Sequence, residues 1–320
     1  MLLDLVIISL GFVGLTWGAD KFVFGASTVA SNLRVPPMVI GLTIVAFGTS
    51  APEIFSSLVA ALEDKPDLAI GNAIGSNIFN LGLALGIAAM IKPLTPAASL
   101  MRKELPALLA VTVITGLLLL DGHLGIIDSM VFIAILVFFA YTLVKKKASG
   151  RTVSLDLSVD EEEIASISVW RASIYLILGL LLLIISAEAL VRAASSIAET
   201  LGVSAGIIGL TIVALGTSLP ELATTITCTL RAHHDLAIGN IVGSNLLNIL
   251  IVLPIPGLLA PDFIDSSLLS RDYVTMLLMT IILAGISYTA ICRGKQIGRL
   301  SGALFVLMYV GWFGVLYSQL

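Results

Sequence analysis

Long apolar segments separated by short polar ones run along the whole sequence. Ten of these segments carry no Asp, Glu, Lys or Arg. A transmembrane helix needs about 20 mostly apolar residues, whereas the strands of a membrane barrel alternate apolar and polar positions, which these segments do not. The pattern therefore predicts an all-α polytopic membrane protein with about ten transmembrane helices. The segments are 5–19, 35–52, 68–91, 105–120, 129–144, 172–187, 200–220, 236–261, 273–292 and 300–320.

Composition narrows the class of protein further. Charged residues make up 12% of the 320 residues, hydrophobic residues make up 58%, and the mean hydropathy is +1.08, whereas about 25% of a soluble domain is charged. These values exclude a soluble enzyme, a disordered chain and a secreted disulfide scaffold. The net charge of −4, with no nucleic-acid motif, excludes a nucleic-acid partner. Two cysteines, Cys228 and Cys292, do not form a disulfide framework.

The basic residues predict the orientation in the membrane. If the loops alternate sides from the N-terminus onward, one side holds only Lys65, Arg192 and Arg271, and the other holds the remaining 14 of the 17 Lys and Arg residues. Basic loops stay in the cytoplasm. We therefore expect an integral protein of the cell membrane (plasma or inner), with both termini outside and the first span retained rather than cleaved as a signal peptide.

A long internal repeat divides the chain. Residues 41–82 align with residues 209–250 without a gap, and 22 of the 42 positions are identical. Because each half holds about five spans, an odd number, the second half enters the membrane from the opposite face. Inverted repeats of this kind are typical of secondary transporters. We expect a first half at 1–144, a polar cytoplasmic linker at 145–170 and a second, inverted half at 171–320.

Two glutamates occupy equivalent positions in the repeats. Glu53 lies in GTSAPE (48–53), Glu221 lies in GTSLPE (216–221), and each is ten residues from the next charged residue. Ten helical residues span about 15 Å, half of the hydrocarbon core. A charge at that depth costs about 2.5–3.5 kcal/mol on insertion scales, and neither repeat offers an intramembrane Lys or Arg. A proton or a bound cation would offset that cost. Because a permanently protonated Glu would have to occur twice in symmetric positions, the pair favours a bound cation.

The residues around the glutamates supply oxygen ligands. Pro52 and Pro220 have no N–H, so the carbonyls of the glycines four residues earlier are freed from the helix. Carbonyls freed inside a membrane are tolerated where they line a cavity or meet a ligand. A site rich in oxygen, without His or Cys, suits Ca²⁺ or Na⁺ rather than zinc or copper. Hydroxyl groups one turn before each glutamate share its face: Thr49, Ser50, Thr217 and Ser218.

A polar stripe marks the helix that follows each glutamate. The segments GNAIGSNIFN (71–80) and GNIVGSNLLN (239–248) place amide and hydroxyl groups at i, i+4 and i+8. The stripe either supplies oxygens to the ions or joins helices by hydrogen bonds, and both interpretations stay open here. Asn77 and Asn245 lie off its centre and suit a role in joining helices. The stripe consists of Asn72, Ser76 and Asn80 in the first repeat and Asn240, Ser244 and Asn248 in the second.

The paired GTSxPE and GNxxGSNxxN motifs resemble the two α-repeats of the sodium/calcium exchanger family, in the cation/Ca²⁺ antiporter superfamily. The chain is most similar to the short prokaryotic members. The resemblance implies that Glu53 and Glu221 are carboxylates shared by Ca²⁺ and Na⁺. It implies further oxygen ligands at the matching positions: Thr49, Thr217, Ser50, Ser218, Ser76, Ser244, Asn80, Asn248, and the carbonyls of Ala46 and Ala214.

The sequence departs from some relatives at positions 80 and 248, where several exchangers carry one Asp and this chain has two Asn residues. Two carboxylates balance one Ca²⁺ or two Na⁺, which leaves the Na⁺ stoichiometry open and disfavours K⁺ co-transport. The implied mechanism is alternating access, with the first helix of each half (18–30 and 186–198) as the moving gate or as a packing element.

Three other functions compete with Na⁺/Ca²⁺ exchange. An H⁺/Ca²⁺ antiporter, or one for another divalent cation, would use the same glutamate pair. A channel is disfavoured because channels build filters by oligomeric symmetry, and an enzyme is disfavoured because no HExxH motif or nucleophile near a His is present. We expect no cofactor, no obligate protein partner and a functional monomer, with Na⁺, Ca²⁺ and lipid as the partners.

Overall fold

Helices account for nearly all of the described chain. The computed structural model describes residues 2–318 except 34, 99, 149–166, 203–211 and 213. The helices are α1 (Leu2–Asn32), α2 (Pro37–Thr49), α3 (Ala51–Leu62), α4 (Pro66–Ile91), α5 (Arg102–Asp121), α6 (Ile126–Ala148), α7 (Val169–Thr200), α8 (Ala214–Thr217), α9 (Leu219–Leu230), α10 (His234–Leu259), α11 (Leu268–Cys292) and α12 (Arg299–Ser318).

Seven of these helices are long and apolar enough to cross a membrane: α1, α4, α5, α7, α10, α11 and α12. The pair α2 and α3, bent by 45°, passes the same test as an eighth span, and α6 holds a shorter apolar helix over 126–142. The prediction of an all-α membrane protein is confirmed. The predicted stretch 200–220 lies partly outside the described residues, and so does most of the predicted linker, of which α6 includes the first residues.

Local irregularities recur at the interval of the sequence repeat. Wide π-helical turns begin at Asn80 and at Asn248, and another pair begins at Leu100 and at Leu268. The members of each pair occupy equivalent positions when the two repeats are aligned. A π turn inserts an extra residue into the helix and is frequent at functional sites. The two copies of the repeat therefore share backbone distortions as well as sequence.

The central helices are α4 and α10, whose residues are mostly buried, while α1, α7 and α12 leave most of their apolar surface exposed. Glycine allows α10 to approach α2 closely. A Cβ added to Gly239 would lie 2.8 Å from the carbonyl oxygen of Met38, and one added to Gly243 would lie 2.7 Å from Cα of Leu42. The glycines of the second GNxxGSN motif therefore bring its polar stripe against α2.

The two longest helices, α1 and α7, pack along each other with their backbones in contact. A Cβ added to Gly25 would lie 2.4 Å from the backbone nitrogen of Leu176, and one added to Gly179 would lie 2.4 Å from that of Phe22. Small residues are required where helices approach this closely. The small residues of α1 therefore allow it to pack closely against α7, the equivalent helix of the other half.

Short extended segments join the two halves at their loops. Strand β1 (His123–Leu124) pairs antiparallel with strand β2 (Asp262–Phe263). Elsewhere Leu94 and Ile297 form an isolated antiparallel bridge. These pairings are the only strand structure among the described residues, and the hydropathy pattern did not predict them.

Candidate functional site

Two helix breaks position the glutamates. The chain leaves helical geometry at Ser50 (φ −83°, ψ 6°) and at Ser218 (φ −93°, ψ 7°), and α3 and α9 begin at the next residue. Each new helix has a proline near its start and a glutamate, Glu53 or Glu221, in its first turn. A helix N-terminus favours negative charge. The break that the prolines predicted thus places both carboxylates where the backbone stabilises them.

The two halves exchange hydrogen bonds at this point. The Ser218 hydroxyl donates to Oε1 of Glu53 at 2.7 Å, and the Ser50 hydroxyl donates to Oε1 of Glu221 at 2.9 Å. The Ser218 oxygen also lies 3.2 Å from the Ser76 hydroxyl. Each glutamate is therefore held by the serine of the opposite repeat, and one site contains both.

Several oxygens at this site are buried without a hydrogen-bond partner. Both glutamates are completely buried, and no Lys or Arg of the described chain forms an ion pair with them. A buried acceptor without a donor is unfavourable, and a bound cation is one way to relieve that cost. In the described chain, the buried oxygens without a partner at the site are Oε2 of Glu53, Oε2 of Glu221, Oδ1 of Asn80, Oδ1 of Asn248 and Oγ of Ser244.

The asparagines are oriented by bonds that also cross the repeats. Nδ2 of Asn80 donates to Oδ1 of Asn245 at 3.1 Å, and Nδ2 of Asn248 donates to Oδ1 of Asn77 at 3.1 Å. All four side chains are buried. The NH₂ groups of the predicted ligands Asn80 and Asn248 therefore point at Asn245 and Asn77. Their side-chain oxygens have no hydrogen-bond partner in the described chain.

The remaining predicted site residues surround this centre in α2 and α8. Thr49 is buried, and its hydroxyl lies 3.1 Å from the Val45 carbonyl, 3.3 Å from that of Ala46 and 3.2 Å from Oδ1 of Asn240. The Ala46 carbonyl also accepts from the Ser50 backbone N–H at 2.9 Å. Thr217 is half-buried at the equivalent place. Ala214 begins α8, and its side chain lies outside what the structure describes.

Asn72 and Asn240 brace the glutamate helices. Nδ2 of Asn72 donates to the Glu53 backbone carbonyl at 3.1 Å and to the Ser57 hydroxyl at 2.9 Å. In the second repeat Nδ2 of Asn240 donates to the Thr225 hydroxyl at 3.1 Å. Ser57 and Thr225 were not among the predicted site residues. They occupy equivalent positions in the two repeats, four residues after each glutamate, and this spacing was the available signal.

The ligands at this site are oxygen atoms. No group of three or more His, Cys, Asp or Glu side chains within the described residues could hold a metal ion. What the site offers is two carboxylates with neutral amide and hydroxyl oxygens. Hard cations bound by oxygen, such as Ca²⁺ and Na⁺, fit this set.

Comparison with known proteins identifies the family. The family model described as sodium/calcium exchanger protein matches residues 3–145 and 171–317. The chain is 40% identical to the putative antiporter CaxA of Alkalimonas amylolytica over the full length of both proteins. It is 37% identical to the inner membrane protein YrbG of Escherichia coli, covering 99% of this chain and 98% of that protein.

A solved structure gives the same result for the fold. The sodium-calcium exchanger NCX_Mj, in a crystal soaked with Na⁺ and Sr²⁺, matches with a TM-score of 0.84 at 30% identity over 98% of each chain. The family resemblance drawn from the two motifs is confirmed. The chain therefore belongs to the sodium/calcium exchanger family, as a short prokaryotic-type member and a membrane antiporter of the cation/Ca²⁺ kind.

Proposed function

We propose that the protein exchanges Na⁺ for Ca²⁺ by alternating access at the site between Glu53 and Glu221. The observation that carries the proposal is the set of buried oxygens without partners, contributed by both repeats and including one from each glutamate. Two carboxylates neutralise one Ca²⁺ or two Na⁺, so the two ions compete for the same charge. The name of the solved relative, a sodium-calcium exchanger, supports the choice of ions.

The proposed ligands are the twelve residues expected from the sequence, with unequal support. Direct support is strongest for the glutamates and for Asn80 and Asn248, whose oxygens have no other partner in the described chain. Ser50, Ser218 and Ser76 are supported by their contacts around the carboxylates. Ser244 has a buried hydroxyl oxygen without a partner in the described chain. Thr49, Thr217, Ala46 and Ala214 complete the set by position.

We further propose ten spans in two inverted five-helix halves, 1–144 and 171–320, joined by a cytoplasmic linker at 145–170. The paired π turns and paired helix breaks support this layout. The excess of basic residues in alternate loops supports a cell-membrane protein with both termini outside. In this layout the monomer holds a complete site.

The negative charge of the empty site accounts for the coupling of Na⁺ transport to Ca²⁺ transport. With both ions removed, two carboxylates remain buried in a low-dielectric interior, and this charge is costly to carry through an occluded state. The site therefore switches its access from one side of the membrane to the other only when it holds ions. The contacts of α1 with α7 support their moving as one unit past the central helices.

The second candidate is exchange of H⁺ for Ca²⁺ by the same glutamates. A carboxylate oxygen without a partner also suits a proton. A proton needs one acceptor, however, whereas the amide oxygens of Asn80 and Asn248 are also buried without a partner in the described chain, and such neutral oxygens are ligands for metal cations. This observation favours Na⁺ over H⁺ as the coupling ion.

Radiolabelled Ca²⁺ uptake into proteoliposomes tests the proposal. Wild type, Glu53→Gln and Glu221→Gln are loaded with Na⁺ and assayed with and without an outward Na⁺ gradient. Glu63→Gln, which changes an exposed carboxylate just beyond the end of α3, is the matched control. We expect uptake that requires the gradient, is lost in both site variants and persists in the control. Uptake that follows a pH gradient and ignores Na⁺ would overturn the proposal in favour of the proton antiporter.

A further inference from the structure

Two buried asparagines outside the proposed ligand set lie directly behind it. Asn77 in α4 and Asn245 in α10 are each 1% exposed. Asn77 accepts the amide of Asn248, and Asn245 accepts the amide of Asn80, both at 3.1 Å. Each bond joins the two repeats. Asn77 and Asn245 thus contact the proposed ligands without contributing an ion ligand themselves.

The direction of these hydrogen bonds decides which atoms face the ion. A carboxamide has one oxygen that accepts and one NH₂ group that donates. The NH₂ groups of Asn80 and Asn248 are directed at their partners, so the polar atoms left to bind an ion are the two side-chain oxygens. Both oxygens are buried and have no partner in the described chain. The opposite orientation would aim two donors at a cation and weaken its binding.

The surroundings of Asn77 fix its own orientation. Its Nδ2 donates to the backbone carbonyl of Asn245 at 3.3 Å and lies 3.2 Å from Sδ of Met276. A carbonyl oxygen and a thioether sulfur only accept hydrogen bonds, so the NH₂ group of Asn77 belongs on that side. Its oxygen therefore faces Asn248, which must be the donor.

The equivalent bond in the other repeat has no such anchor. Nδ2 of Asn245 has no hydrogen-bond partner in the part of the chain that the structure describes. Its oxygen accepts from Asn80, but no third group determines which way its amide is turned. The two halves of the site are therefore equivalent in composition and unequal in how firmly the amides are oriented.

We propose that Asn77 is a positioning residue that orients the amide of Asn248 so that its oxygen binds the transported cation, and that Asn245 holds the amide of Asn80 in the equivalent, less firmly oriented bond. The inference rests on the proposed function, since it assigns how the same site achieves its selectivity for cations. It also explains why residue 248 is an Asn. A carboxylate at 248 would set an acceptor against the Asn77 oxygen, so Asn77 favours a neutral donor there and a site with two charges.

A double-mutant cycle tests whether Asn77 acts through Asn248. The variants are Asn77→Leu, Asn248→Ala and the double substitution, each measured for the Ca²⁺ concentration at half-maximal exchange and for the maximal rate. We expect Asn77→Leu to raise the half-saturating concentration about tenfold, the effect of losing one oriented buried hydrogen bond, with a smaller change in maximal rate. In the Asn248→Ala background Asn77→Leu should add little.

Asn77→Ser is the conservative variant, because its hydroxyl can still accept from Asn248, and it should recover part of the Ca²⁺ affinity. If Asn77→Leu does not fold, the same cycle is measured with Asn77→Ser in its place, and with Asn245→Leu and Asn80→Ala for the other bond. Independent, multiplicative effects, or unchanged half-saturation, would overturn the inference while Na⁺-dependent uptake by the wild type leaves the proposed function intact. Wild-type uptake driven by pH alone would instead refute the proposed function, and the Ca²⁺ cycle remains measurable in that mode.

Discussion

Buried carboxylates occur in two different settings in this molecule. Asp272, at the first turns of α11, is buried against a paired cation. Arg271 donates from Nε to its Oδ1 at 2.7 Å and from Nη2 to its Oδ2 at 2.8 Å, and Trp312 Nε1 donates to Oδ1 at 2.6 Å. Glu53 and Glu221 are equally buried, but each has a serine on one oxygen and no described partner on the other.

The difference separates a structural acid from the two acids proposed to bind the transported ions. A buried acid with a fixed countercharge has its desolvation offset permanently. A buried acid whose second oxygen lacks a donor is satisfied only by a mobile ion. Burial alone therefore does not identify the site in this protein. The candidate site is marked by a buried carboxylate with an oxygen that lacks a partner at equivalent positions of both repeats, as at Glu53 and Glu221.

The largest expected effect comes from neutralising one central glutamate. Glu53→Gln or Glu221→Gln removes half of the charge that balances Ca²⁺, and we expect Ca²⁺ exchange to fall by about 100-fold or more. Tracer uptake in proteoliposomes measures it. A variant that still exchanges Ca²⁺ at a similar rate would remove the distinction between these carboxylates and Asp272.

The next effect is on stability rather than transport. Asp272→Asn leaves Arg271 without its carboxylate and should cost about 1–3 kcal/mol of stability, seen as a lower Tm in detergent. The rise in Tm on adding Ca²⁺, which follows from binding to the folded state, should persist with an unchanged half-saturating concentration. A shift in that concentration would mean that Asp272 belongs to the ion site.

Removing one crossed hydrogen bond should weaken Ca²⁺ binding moderately. Ser50→Ala and Ser218→Ala each delete a hydroxyl that donates to a buried carboxylate, a bond that contributes about 1.5 kcal/mol. We expect the half-saturating Ca²⁺ concentration to rise about three- to tenfold in each case. Because the bonds are related by the repeat, the two variants should resemble each other. Unchanged Ca²⁺ affinity in both would argue against a role for these bonds in preparing the site.

The smallest effect is expected from Trp312→Phe. This change removes the indole donor to Asp272 and leaves the Arg271 pair in place, so it should cost about 1 kcal/mol of stability and leave Ca²⁺ exchange intact. Thermal unfolding and tracer uptake on the same preparation measure the two quantities. Impaired exchange at normal stability would contradict the structural role assigned to this cluster.

Much of the candidate site could be predicted from the sequence, because its central residues differ from the residues around them in the chain. Glu53 and Glu221 were identified by the lack of nearby charges, and the helix breaks at Ser50 and Ser218 were signalled by the prolines two residues later. The repeat established which residues are equivalent. These features are local or periodic, and local features are what a single sequence records.

Contacts between the two repeats could not be predicted from a single sequence. Equivalence of Ser50 with Ser218 does not reveal that each bonds the glutamate of the other half, because the crossing depends on how the halves pack. Asn77 and Asn245 were assigned to joining helices; they do so, but through the predicted ligands Asn248 and Asn80. The pairing of β1 with β2 has the same origin, since it joins loops from different halves.

The crossed serine bonds have a consequence for how the protein is made. Ser50 meets its partner only after Glu221 has been synthesised, and Glu53 waits for Ser218. During synthesis the first half therefore inserts with an incomplete site, and its glutamate gains the serine donor only when the later helices dock. The proposed ion site is thus a product of assembly, because a nascent chain stopped before residue 218 lacks both the serine donor to Glu53 and the second glutamate.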